Sequence, residues 1–238
     1  MTLHIGIVGC SAEGASLCYR TICSEGALLL GPHAHPEVSM HTHSLAEYVR
    51  CLDRGDLAGI ADLMLASASK LERAGADFLI CPDNTIHQAY KHVQGRSPLP
   101  WINIAEVVAS AASERGFSRV GVTGTRWLVD SDVYPDAFAA CGVECLRPCD
   151  ADRDEMSRII MDELVPGVFG AHGVAYFRSV IDRFRERGSD AVVLGCTEIP
   201  LIINDANSSL PTLDSTRLLA RAALRKAISS NRDGTSGP

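Results

Sequence analysis

Four fragments of this chain recur once each, in the same order and at a nearly constant spacing. Gly6-Ile7-Val8-Gly9 returns as Gly121-Val122-Thr123-Gly124, and Tyr19 as Tyr134, each 115 residues later. Gly75-Ala76-Asp77 returns as Gly188-Ser189-Asp190 after 113 residues. Leu99-Pro100-Trp101-Ile102-Asn103 returns as Leu210-Pro211-Thr212-Leu213-Asp214 after 111. A period this long is far beyond that of a solenoid and implies one folding unit used twice.

The kind of unit follows from hydrophobic periodicity. Ile5-Gly6-Ile7-Val8 reads as a strand, followed by a Gly/Ser turn and a helix through Leu17, Tyr19 and Ile22. Val38 to His43 and Phe78 to Cys81 read as further strands, the latter stopped by Pro82. Between them, Ile60, Leu63, Met64, Leu71 and Ala74 keep a helical spacing that Gly75 ends. Short strands alternating with helices predict an α/β fold with mainly parallel sheets. The expected architecture is two pseudo-symmetric lobes, each a mainly parallel sheet flanked by helices, with the active site in the cleft between them. The N-terminal lobe is expected over residues 1–103 with a returning helix 214–228, and the C-terminal lobe over 104–213. Residues 229–238, polar and Gly/Pro-bearing, read as a disordered tail.

Charge and cysteine content narrow the function classes. Twenty-two basic against 29 acidic residues leave a net charge of -7, the opposite of a nucleic-acid binder's balance. No apolar run approaches the ~18 residues of a membrane span, and the start of the chain lacks a signal peptide's basic and apolar regions, so a soluble cytoplasmic protein is expected. Nine cysteines without a paired C-x-x-C unit read as reduced thiols rather than a disulfide framework or zinc site. The turn Gly9 to Ser16 has the outline of a phosphate loop, but Ala15 stands where its lysine belongs, which argues against nucleotide binding.

The duplication also points to candidate chemistry. Asp83 follows Asp77 by six residues, and Cys196 follows Asp190 by six, so the repeat makes them equivalent positions at strand C-termini, where α/β sheets bind ligands. Small polar residues come next: Asn84-Thr85 in one half, Thr197-Glu198 in the other. A helix starting there would offer backbone N–H groups to a carboxylate. It would also favour the Cys196 thiolate. Two proton carriers suit chemistry that takes a proton from one face of a carbon and returns one to the other.

Asn84-Thr85-Ile86-His87 and Gly195-Cys196-Thr197-Glu198-Ile199-Pro200, with Asp162-Glu163-Leu164, Gly167 and Gly121-Val122-Thr123-Gly124-Thr125 in support, resemble the cofactor-independent aspartate/glutamate racemases. The resemblance runs over nearly the whole chain. It implies inversion of an amino acid's α-carbon by two cysteines, one per lobe, without pyridoxal phosphate or metal, in a homodimer. The first of those cysteines is replaced here by Asp83. Cys196 and Asp83 are therefore the candidate catalytic residues, and Ser11, Asn84, Thr85, Thr123, Thr125, Thr197 and Glu198 the candidate substrate-binding residues. Cys81, two residues before Asp83, reads as a core thiol, His87 as structural, and His41 and His43 as residues that could line the cleft.

Three roles stay open for Asp83: a base made effective by desolvation, a ligand for a substrate ammonium, or an N-cap. The second role leaves Cys196 to work alone, as in the single-cysteine relatives that act as decarboxylases. For the substrate, the stretch between Glu163 and Gly167 holds only Leu164, Val165 and Pro166, and Leu52 stands between Arg50 and Arg54. An aspartate- or glutamate-like substrate and a less acidic one both remain.

Overall fold

The computed structural model describes residues 2–229; Ser229, expected to begin the tail, instead ends the last helix, and residues 230–238 lie outside the described residues. In chain order the elements are β1 (Ile5–Gly9), α1 (Ala12–Leu30), β2 (Val38–Thr42), α2 (Leu45–Asp53), α3 (Leu57–Arg73), β3 (Phe78–Ile80), a 3-10 turn (Thr85–Ala89) running into α4 (Tyr90–Val93), and β4 (Trp101–Ile102). The second series is α5 (Ile104–Glu114), β5 (Arg119–Thr123), α6 (Arg126–Val129), α7 (Val133–Ala140), β6 (Glu144–Leu146), and α8 (Asp150–Ile159) continuing as a π-turn (Ile160–Leu164). It ends with α9 (Ala171–Glu186), β7 (Ala191–Leu194), a 3-10 turn (Ile199–Leu201), β8 (Thr212–Asp214) and α10 (Ser215–Ser229). The chain divides into two compact units: one runs to Ile104 and resumes at Thr216, the other is Ala105–Ser215.

Each unit holds one four-stranded, all-parallel sheet flanked by helices, in the orders β2-β1-β3-β4 and β6-β5-β7-β8. The duplication extends to register. Ile5 pairs with Phe78 and Leu79 with Trp101 in the first sheet; Val120 pairs with Ala191 and Val192 with Thr212 in the second. These are the positions that the spacings of 115, 113 and 111 equate. The recurring aspartates explain part of the match. Asp77 Oδ2 accepts the His4 amide at 2.7 Å, and Asp190 Oδ2 accepts the equivalent Arg119 amide at 3.0 Å, so one carboxylate ties each pair of neighbouring strands at its start.

The central strands read as apolar runs because both of their faces are covered; β1, β3 and β7 are buried throughout. The first core joins Val8, Tyr48, Ile60, Met64 and Leu79, and the second Met156, Ile159, Phe177, Ile181 and Val192. Helix α3 starts three residues before the periodicity showed, because Asp56 caps it by accepting the Gly59 amide at 2.8 Å. Gly75 and Gly188 follow α3 and α9 with φ of +90° and +80°, the left-handed conformation in which glycine avoids a Cβ clash.

Candidate active site

Cys196 and Asp83 sit at matching places, five residues after the first residue of β7 and of β3. The sequence suggested a helix after each: Asp83 leads into the 3-10 turn that runs on as α4, whereas Cys196 leads into an isolated 3-10 turn. The three residues of the turn after Cys196 build no macrodipole, so no helix terminus faces its thiol. A carboxylate stands beside the thiol instead. The Cys196 thiol donates to Glu198 Oε2 at 2.8 Å, and the Thr197 hydroxyl donates to the same oxygen at 2.8 Å. Glu198 and Thr197 are each 2% exposed, while Cys196 is half-buried. Glu198, expected among the substrate-binding residues, has the Cys196 thiol as a direct neighbour. The spacing Cys-x-Glu across a tight turn was the available signal, since it brings the two side chains close.

Gly195 fixes the entry to this turn. Its amide donates to the Thr123 carbonyl at 3.0 Å, and a Cβ on it would lie 2.4 Å from that oxygen. Thr123, expected to bind substrate, is fully buried and donates its hydroxyl to the Val193 carbonyl at 2.7 Å. It clamps β5 to β7, and its donor proton is committed to the backbone. Thr125 and Ser11 are both helix caps: Thr125 accepts the Leu128 amide at 3.4 Å and Ser11 the Gly14 amide at 3.2 Å.

In the first unit, Asp83 is half-buried and Oδ1 accepts the Ile86 amide at 3.2 Å, so the capping role is present. Asn84 and Thr85 beside it are buried, at 2% and 8% exposed. His87 Nδ1 donates to the Asp83 carbonyl at 2.7 Å, and the Cys81 thiol points at the same oxygen from 3.9 Å. Burial, with the nearby Asp83 charge, pushes the Cys81 thiol well above its ordinary range. It is a neutral core thiol, because an anion there would be both desolvated and repelled. Tyr48 is enclosed as well. Burial, with the Cys81 and Cys10 thiols, raises its phenol, so it too stays neutral. Sequence reasoning had not singled it out.

His41 is engaged by its own unit. Its ring contacts Ser67 Oγ at 3.0 Å and Lys70 Nζ at 2.8 Å, linking β2 to α3, and its ring packs edge-on against His43 at 4.9 Å. Among the described residues no three His, Cys, Asp or Glu side chains converge as a metal ion requires, and no helix is long and apolar enough to cross a membrane.

The chain is thus a duplicated parallel α/β unit, with Asp83 after the third strand of one copy and Cys196 after the third strand of the other. The sequence profile of the Asp/Glu/Hydantoin racemases matches residues 7–223, and the chain belongs to that family, one of isomerases. It is 24% identical over 161 residues to the broad specificity amino-acid racemase RacX of Bacillus subtilis, covering 68% of this chain and 69% of that protein. It is 28% identical over 179 residues to a glutamate racemase of Koribacter versatilis, covering 70% of this chain and 58% of that one. Among solved structures, a putative Asp/Glu racemase from Yersinia pestis matches with a TM-score of 0.86 at 28% identity, over 95% of this chain and 99% of that one. An aspartate racemase homologue from Pyrococcus horikoshii matches with a TM-score of 0.81 at 27% identity and the same coverage.

Proposed function

We propose that this chain is a cofactor-independent racemase or epimerase of an amino acid, with Cys196 and Asp83 exchanging protons with the substrate's α-carbon. The observation that carries the reading is the 2.8 Å contact of the Cys196 thiol with the enclosed Glu198 carboxylate. In one direction Glu198 takes the thiol proton. The thiolate then removes the α-proton, the C–H bond breaks, an S–H bond forms, and the electron pair spreads into the substrate carboxylate as an enediolate. A protonated Asp83 returns a proton to carbon, and the reverse direction exchanges the two roles. The enediolate is the costly species, and neutral donors that do not reorganise stabilise it most; Asn84 and Thr85 supply such donors.

The segments around Asp83 and Cys196, residues 81–87 and 195–200, contain Asp83 and Glu198 but no Lys or Arg. With no Lys or Arg, these two segments offer a second substrate carboxylate no cation to pair with. The reading therefore takes an amino acid with a neutral side chain ahead of aspartate or glutamate.

Inversion requires the two groups to serve opposite faces of one carbon. Incubating the protein in heavy water with a panel of D- and L-amino acids, and following the α-proton by NMR together with chirality, tests this. Exchange with inversion supports the reading; no exchange with any of the panel refutes it. One observation favours a second reading, a lyase or decarboxylase that uses Cys196 alone. Asp83 Oδ1 is engaged by the Ile86 amide, and the nearby Cys81 is held as a neutral thiol, so neither Asp83 nor Cys81 supplies a thiolate opposite Cys196. Exchange with retention, or loss of carbon dioxide from a malonate-type acid, would select it.

A further inference from the structure

We propose that His87 is a positioning residue for Asp83, holding the peptide that carries the carboxyl so that the acid has one direction. The inference rests on Asp83 being a proton-transfer group. A carbonyl only accepts, so the 2.7 Å contact with the Asp83 oxygen places the proton on His87 Nδ1 and leaves Nε2 the acceptor. That Nε2 is sealed from solvent and meets no partner. An orphaned buried acceptor is a net loss of stability, and an apolar side chain of similar size would avoid it. Packing alone therefore gives no reason for histidine here; the bond to Asp83 does.

Two further ties converge on the same residue: Cys81 Sγ on the carbonyl and the Ile86 amide on Oδ1. Backbone and side chain of Asp83 are thus held together. Burial lowers the imidazole to about 4, so the donating tautomer persists at neutral pH. The second unit has no such device. The position equivalent to His87 is Pro200, and Cys196 is tied through its own sulfur to Glu198. A flexible carboxyl that must point at carbon needs outside orientation, whereas a thiol one bond from Cβ needs less.

Two variants separate orientation from packing. H87L keeps the bulk and removes the donor, while H87N keeps an N–H near the Nδ1 position. With the amino acid that exchanges best in heavy water, H87L should lose roughly 10–100-fold in kcat, with KM within about three-fold of the parent. H87N should retain most of the parent rate, and H87L added to D83N should cause no further loss. An H87L kcat equal to the parent's, or an additional loss on the D83N background, overturns the proposal. A readout independent of activity is the Ile86 amide. In H87L its hydrogen exchange should accelerate while β1 and β3 amides stay protected, and an unchanged Ile86 rate overturns the proposal even if the parent exchanges no α-proton. That last failure by itself would count against the racemase reading only.

Discussion

A thiol and a carboxylate in contact can hold one proton between them and carry a single negative charge whichever group owns it. In the proposed reaction that property suits the Cys196–Glu198 pair, 2.8 Å apart: a thiolate there would have no second anion beside it. Replacing Glu198 with Gln removes the proton acceptor and keeps the shape. The rate of α-proton exchange should fall by about 10²–10⁴, and alkylation of Cys196 by iodoacetamide, read by peptide mass spectrometry, should slow with it. Unchanged alkylation would show that the thiolate forms without Glu198.

His87 gives a second test at this scale. Burial lowers its pKa from 6.5 to about 4, so between those values the unfolded chain binds a proton that the folded chain excludes. Its contribution to stability is complete above pH 6.5 and declines as pH falls toward 4, by up to about 3 kcal/mol. Urea unfolding of the parent and of H87N at steps from pH 7 to 4.5 should show a shallower decline in the variant.

Among the elements, the turns after β3 and β7 matter most, because they carry Asp83 and Cys196 and hold them with side-chain partners. The β7 turn depends on Gly195, whose missing Cβ lets its backbone approach the Thr123 carbonyl. A Gly195→Ala change puts carbon against backbone oxygen, and neither can swing aside. The expected cost is about 1–3 kcal/mol, as for overpacking, seen as a lower Tm. Activity should drop by more than that stability loss explains, since Cys196 is the next residue. A Gly195→Ala protein with full activity would mean that the turn tolerates displacement.

For the molecule as a whole, chain order and unit membership differ at the end. Helix α10 follows the last strand of the second sheet yet belongs to the first unit. There the Ala227 carbonyl accepts the Leu3 amide at 2.9 Å, Arg221 pairs with Glu25 at 2.8 Å, and the Lys226 ammonium lies over the Phe78 ring. Leu224, buried on this helix, should cost about 2–5 kcal/mol when cut to Ala. Native-state hydrogen exchange should report that loss in β1 and β3 while β5 and β7 keep their protection; equal losses in both sheets would contradict the assignment of α10 to the first unit.

Repeats, periodicity and turn residues are local or regularly spaced signals, so they could be read along the chain. Asp77 and Asp190 marked the duplicated strands, Gly75 marked a helix end, and the racemase resemblance ran through Asn84-Thr85-Ile86-His87 and Cys196-Thr197-Glu198. Side-chain direction is not such a signal. That Thr123 commits its hydroxyl to Val193, that Glu198 turns toward sulfur, and that His87 reaches back to the Asp83 carbonyl depend on where the backbone bends in three dimensions. A hydrogen bond forms only within a few tenths of an ångström of its proper length. Spacing along a sequence resolves nothing that fine; the folded chain does.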